Sequence, residues 1–306
     1  MSDRELSGAP SMLGLFARAG VSLVPGASRL PWVGGGGGTV PTDALTLTDV
    51  AVDRERLAAY DRVCGFRLSD TLPPTYLHML AFPLHLALMT GGSFPLPAIG
   101  LVHIASRIDQ HRPVDAGERL SLRVWATPIY PHPRGRQFTI RTEARVGSEL
   151  VWEEASTNLA RGRGDESAPA PDGPPSSEGL PAAATWRLPG DLGRRYGSVS
   201  GDLNPIHVHP LSARLFGFPS AIAHGMWTKA RCLAALDSEL APRFSVEVAF
   251  KRPILLPATV QFAEQTSADG IGFGVRDAKR GTPHLDGQLA VGEAAQDGNI
   301  LRRPPV

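Results

Sequence analysis

The feature that most constrains this chain is a weak internal repeat. Tyr60, Val63 and Gly65 stand in the same spacing as Tyr196, Val199 and Gly201, at an offset of 136. Further on, Gln110-His111-Arg112-Pro113-Val114 matches Phe250-Lys251-Arg252-Pro253-Ile254 at an offset of 140, and both stretches run into apolar, strand-like sequence. Shared order at nearly equal offsets points to duplication. At 306 residues the chain is longer than one core usually grows to, so two units of similar size are expected. The composition places them at 47–160 and 183–293. A Gly-rich mobile arm (1–46) precedes them, a Pro/Gly/Ser-rich tether (161–182) separates them, and a tail (294–306) follows.

Each half carries one strongly apolar helical candidate. Met226–Leu236 has Met226, Ala230 and Leu233 in helical spacing with apolar residues on most other faces, the mark of a helix buried all round. Its counterpart, Tyr76–Met89, is interrupted by Pro83, which must kink it or sit in its first turn, and is stopped by Gly91-Gly92. Most of the rest has period two: Val102, Ile104, Ser106 and Ile108; Phe138 to Val146; Phe244, Val246, Val248 and Phe250. One buried helix with several antiparallel strands, twice over, is an α+β arrangement. Joined edge to edge, each sheet would cover an edge the other leaves unpaired.

Charge excludes some partners. Lys plus Arg is 31 against 30 Asp plus Glu, too even a balance to attract a nucleic-acid backbone or an anionic membrane. The apolar stretch Met12–Val24 is broken by Arg18 and glycines and is too short to span a bilayer, and two cysteines, Cys64 and Cys232, make no disulfide framework. A cytoplasmic protein is expected.

The densest run of reactive side chains is Tyr196 to His209, followed by Phe218 to Met226. Asp202 and His207 flank Asn204-Pro205, a turn-forming pair that can fold carboxylate and imidazole into one small volume, where they could grip a single water. A partly dry pocket can hold one as base and the other as acid near neutral pH. Blander readings exist: a plain turn or helix cap, or a metal set of Asp202, His207 and His209, which lacks a further ligand cluster to complete it. Gly225, at the mouth of the second buried helix, could let backbone N–H groups meet developing negative charge as an oxyanion hole, or could merely permit a tight start capped by His224.

The string Ser200-Gly201-Asp202-x-Asn204-Pro205-x-His207 resembles the signature of the MaoC-like, or R-specific, enoyl-thioester hydratases, and Ala223-His224-Gly225-Met226 resembles their second motif. With Gln110–Pro113, Phe216–Pro219 and Phe250–Pro253, residues 47 to 293 are similar to the double-hotdog 3-hydroxyacyl-thioester dehydratases of actinobacteria. The resemblance implies two hotdog folds, each a central helix wrapped by an antiparallel sheet, fused in one chain as a monomeric pseudo-dimer or a homodimer. It implies Asp202 and His207 as the catalytic pair, the Gly225 N–H on the thioester carbonyl, and Ser200, Gly201, Asn204 and His224 as supporting residues. The implied reaction is reversible syn dehydration of a (3R)-3-hydroxyacyl thioester to the trans-2-enoyl thioester. It uses neither metal nor redox cofactor, and coenzyme A or a carrier protein's phosphopantetheine enters as part of the substrate.

The first half departs from this pattern. After Gly65 it continues Phe66-Arg67-Leu68-Ser69-Asp70, without Asn-Pro or the histidine. It is expected to shape the acyl pocket instead, with the Pro83 helix leaving room for a longer chain. Lys251 and Arg252 could meet phosphates or serve only as strand-end residues. Because hotdog domains host several functions, an acyl thioesterase and a non-catalytic acyl-binding module stand as alternatives.

Overall fold

A computed structural model describes residues 3–21, 39–169 and 173–291. The duplication is written into its topology. Among the described residues one 12-stranded sheet runs β1-β2-β4-β6-β7-β3-β9-β12-β11-β10-β8, with β5 hanging on β6. The first half supplies β2 (Ala44–Val50), β3 (Leu101–Gln110), β4 (Leu120–Ala126), β5 (Tyr130–His132), β6 (Gly135–Val146) and β7 (Glu149–Arg161). The second supplies β8 (Ala182–Leu188), β9 (Phe244–Phe250), β10 (Ala258–Ser267), β11 (Gly270–Asp277) and β12 (Pro283–Val291). Read outward from the centre, β3-β7-β6-β4-β2 and β9-β12-β11-β10-β8 are the same order.

At the centre β3 and β9 pair antiparallel from Ala105↔Ala249 to Gln110↔Phe244. Two strand edges that would otherwise be open to pairing therefore satisfy each other. The expected alternation holds in β9, where Phe244, Val246 and Val248 are buried, and in β6, where Phe138, Ile140, Thr142 and Ala144 are. In β3 it breaks: the register shifts between His103 and Ala105, so Ser106 and Ile108 are buried while Val102 and Ile104 are only partly covered. A bulge of this kind re-aims a side chain, here His103.

Each half wraps its sheet around helices. The repeated Tyr-x-x-Val-x-Gly lies at the end of α2 (Arg54–Cys64) and of α4 (Leu192–Ser200). Gly65 and Gly201 close these helices in the left-handed conformation, φ 84° and 82°, which L side chains adopt only with strain. Tyr60 and Tyr196 are buried, and their rings meet at 6.0 Å across the pseudo-twofold axis. The core helices are α3 (Tyr76–Thr90) and α7 (Gly225–Ala235). Pro83 lies in the interior of α3 rather than in its first turn, and has no N–H to give the Met79 carbonyl.

The arm expected to be mobile contains two placed elements. β1 (Asp3–Glu5) pairs parallel to β2, held by Arg123 on the Asp3 carboxylate at 2.9–3.2 Å. α1 (Met12–Val21) buries Leu15 and Ala19. A short amphipathic turn around Leu13 to Ala19 is the most that sequence suggests, because apart from Arg18 every residue of α1 is apolar or glycine and no period marks Leu15 and Ala19 as the covered pair. The segment expected as a tether is likewise held in part, since the Ser177 N–H donates to the buried Asp286 carboxylate at 3.0 Å. Parts of the arm (1–2, 22–38), the tether (170–172), residues 292–293 and the tail (294–306) lie outside the described residues.

Candidate active site

The chain leaves α4 at Gly201 and folds back at once. The Asp202 N–H donates to Ser200 Oγ (3.2 Å), and Asp202 Oδ1 accepts the Asn204 N–H (3.1 Å). Asn204 then caps α5 (Pro205–Val208), its side chain accepting from the Ile206 N–H. With Pro205 at the first helical position, where no N–H is needed, this short helix delivers His207 one turn later. The Asp-x-Asn-Pro turn thus places the carboxylate and the ring in one volume: donor atoms of Asp202, His207 and His224 all lie within 4.8 Å of one another.

Hydrogen bonds fix the tautomers. His207 Nδ1–H donates to the Ile222 carbonyl (2.8 Å), leaving Nε2 as the nitrogen available for proton transfer. His224 Nε2–H donates to the Asp202 carbonyl (3.0 Å), with Asp202 Oδ2 at 3.7 Å. The two imidazoles stack at 3.6 Å. Burial lowers the pKa of His207, partly offset by the Asp202 charge. Burial, together with the neighbouring His207, carries His224 down to about 3. His224 sits at the N-cap position of α7, but its side chain makes no cap bond. It holds the Asp202 loop instead.

Gly225 opens α7, and the first N–H groups of a helix have no partner inside it. A Cβ at Gly225 would stand 3.1–3.2 Å from the Phe250 ring, so glycine lets the helix mouth and the end of β9 approach closely. Asp202, His207, Gly225 and Phe250 line one cavity of about 250 Å3, together with Asn204 and Ser200. His209 does not join them: it is exposed and caps α6 (Pro210–Leu215), accepting from the Leu211 N–H (3.1 Å). Lys251 and Arg252 border the cavity, with the Lys251 ammonium 3.3 Å from Asp286.

Several residues escaped sequence reading. Gly193 and Gly197 lie one turn apart on α4, where a Cβ would meet the His207 carbonyl oxygen at 2.0 Å and the Asp202 carbonyl oxygen at 2.9 Å. Two glycines four apart in a helix are costly unless something packs on them, and that spacing was the available signal. Phe16 and Ala19 of α1 also border the cavity. From the first half come His78, His85 and His103, whose sequence positions give no hint that they converge.

Residues 182–288 match the family model of the MaoC-like domain. The chain is 34% identical over 279 residues to 3-hydroxyacyl-thioester dehydratase X of Mycobacterium tuberculosis, covering 90% of this chain and 96% of that one. The crystal structure of HtdX from the same organism superposes with a TM-score of 0.72 at 33% identity, over 81% of this chain and all of that one. A MaoC-like dehydratase from Phytophthora capsici shares the fold at 20% identity, with a TM-score of 0.67 over 84% of this chain and 97% of its own. The two matched halves, with the Asp-x-Asn-Pro-x-His turn facing the mouth of a buried helix in the second, make this chain a double-hotdog member of the MaoC-like dehydratase family.

Proposed function

We propose that the protein interconverts (3R)-3-hydroxyacyl thioesters and trans-2-enoyl thioesters by reversible syn dehydration and hydration. The observation that carries this reading is one constellation: Asp202 and the free Nε2 of His207 share a cavity with the opening turn of α7. In hydration, a water held between carboxylate and imidazole loses a proton to one of them as its oxygen bonds to C3. That proton, kept by the group that took it or passed to its neighbour, is then delivered to C2. The thioester oxygen, which gains charge in between, is met by the Gly225 N–H. Both groups end in the state in which they began. Dehydration reverses every step. The water is incorporated on the side from which C2 is protonated, which gives syn geometry.

The thioester enters as coenzyme A or as a carrier protein's phosphopantetheine, and the reaction needs neither metal nor redox cofactor. The pseudo-dimer supplies both halves of the pocket from one chain. No helix among the described residues is long and apolar enough to cross a membrane.

Crotonyl-CoA tests the reading against its rivals. Loss of the conjugated double bond without thiol release is expected; thiol release would indicate a thioesterase, and binding without turnover a non-catalytic module. Asp202→Asn and His207→Ala should each lower kcat by about 10²–10⁴-fold, the usual worth of a positioned acid or base. Full activity in both variants would refute the assignment.

A further inference from the structure

The wall of the cavity facing the α7 mouth is built by the first half, and within its mostly apolar lining, which includes Met79, Phe82, Leu86 and Ile99, stand three histidines, His78, His85 and His103. His78 of α3 borders the cavity and is only 8% exposed. Its Nδ1–H donates to the fully buried Glu154 carboxylate at 2.6 Å, which fixes the ring, while its Nε2 has no partner among the described residues. Glu154 is itself anchored, accepting from Ser106 Oγ (2.9 Å), which in turn accepts from the buried ammonium of Lys229 (2.9 Å). Burial pushes the Glu154 carboxyl up, yet His78, His85 and Lys229 together outweigh it and hold the group down at about 2, so it stays ionised.

The two neighbouring rings are each tied down through Nε2. His85 Nε2 meets Thr142 Oγ1 at 2.8 Å, and His103 Nε2 meets Ser156 Oγ at 2.9 Å. His224 Nδ1 at the α7 mouth is also without a partner, but it belongs to the site already described; His78 Nε2 is a second such atom, on a ring aligned by a buried carboxylate, on the wall of the pocket and unmatched among the described residues. The path to the reacting centre is continuous. Phe250 lies against Gly225, His103 is 4.8 Å from Phe250, and His78 stacks on His103 at 6.2 Å.

We propose that His78, aligned by Glu154, hydrogen-bonds an oxygen substituent carried by the acyl chain beyond C3, so that the preferred substrates are oxygen-bearing acyl thioesters rather than plain hydrocarbon ones. This rests on the function proposed above. An unsubstituted tail lying against Nε2 would strip it of water and offer no bond in return, the costly half of the hydrogen-bond balance.

The test compares kcat/KM for trans-2-octenoyl-CoA with that for the same thioester bearing a hydroxyl or an oxo group at successive carbons beyond C4. The two series separate Nε2 acting as acceptor from Nε2 acting as donor. At one position the oxygenated substrate is expected to be favoured about tenfold, with His78→Leu bringing the ratio to about one and His78→Gln restoring part of it. A ratio between two substrates on one enzyme preparation is independent of how much of it is folded. Calorimetric binding of the same pair to Asp202→Asn reads the preference without turnover. A binding preference in a protein that hydrates nothing would overturn the proposed function and uphold this one. Equal Kd values for every pair, or a preference that survives His78→Leu, would overturn it.

Discussion

Replacing Gly193 by alanine should disable the enzyme from a position that does not line the cavity. Gly193 lies in the first turn of α4, and a Cβ built there would stand 2.0 Å from the carbonyl oxygen of His207. Ordinary contact begins near 3.4 Å, and the obstacle is backbone, so the short helix carrying the His207 imidazole must retreat by about 1 Å or more. A displacement of that size at a reacting group costs about 10²-fold in rate. Gly197→Ala, whose Cβ would meet the Asp202 carbonyl oxygen at 2.9 Å, calls for a smaller shift and a smaller loss. In each case alanine favours the helix itself by about 0.5–1 kcal/mol, which works against global unfolding. The assay is hydration of crotonyl-CoA alongside a thermal melt, with far-UV dichroism as the check on folding. Gly193→Ala hydrating within threefold of wild type, or Gly197→Ala proving the more damaging, would refute the claim that α4 sets the position of His207.

Acidification should destabilise the fold well before carboxylates titrate. Burial, with neighbouring histidines, holds His85, His103 and His224 each at about 3. Between the ordinary histidine value near 6.5 and that level, only the unfolded chain binds these protons, so stability falls as pH falls, by about 1.4 kcal/mol per pH unit for each histidine. Denaturant midpoints that stay flat from pH 7 to pH 5 would contradict the buried, neutral state of these rings. Prolonged chelation followed by gel filtration should leave hydration unchanged, and a loss reversed by a divalent metal would overturn the metal-free mechanism. Rates measured across acyl lengths should extend to chains well beyond four carbons; a strict preference for the shortest would contradict a pocket shaped by α3.

What sequence made legible followed from local rules, and what it hid followed from distance. The repeated Tyr-x-x-Val-x-Gly is visible because a buried ring and a left-handed closing residue are local requirements, met at Gly65 and again at Gly201. The apolar runs of α3 and α7 and the alternation in β6 and β9 are equally local. The Asp202 turn is local too: five residues take the chain from carboxylate to imidazole. By contrast His78 and Glu154 are 76 residues apart and meet at 2.6 Å only because the sheet wraps α3, which packs on β4 and β6. The bulge that turns His103 into the cavity is a property of the pairing between β3 and β7, and no spacing within β3 alone announces it. The same holds for β1, whose anchorage depends on Asp3 meeting Arg123, 120 residues away.

The duplication also explains why two similar halves serve one site. In the second half the core helix opens with Gly225, whose lack of a side chain keeps the helix mouth clear. In the first half the corresponding helix opens with Tyr76, fully buried and edge-on to Tyr60 at 5.2 Å. The Tyr60 hydroxyl meets Thr75 Oγ1 at 2.9 Å, and the Trp152 indole N–H donates to the Pro74 carbonyl, also at 2.9 Å. Aromatic rings therefore fill the volume in which the second half keeps a cavity, and the missing Asn-Pro turn leaves no histidine to face it. Plugging that mouth makes its packing a source of stability, while the middle of the same helix, from His78 to Met89, remains free to wall the surviving cavity. The two copies of the fold are thus specialised through opposite treatment of one position, the first residue of the central helix.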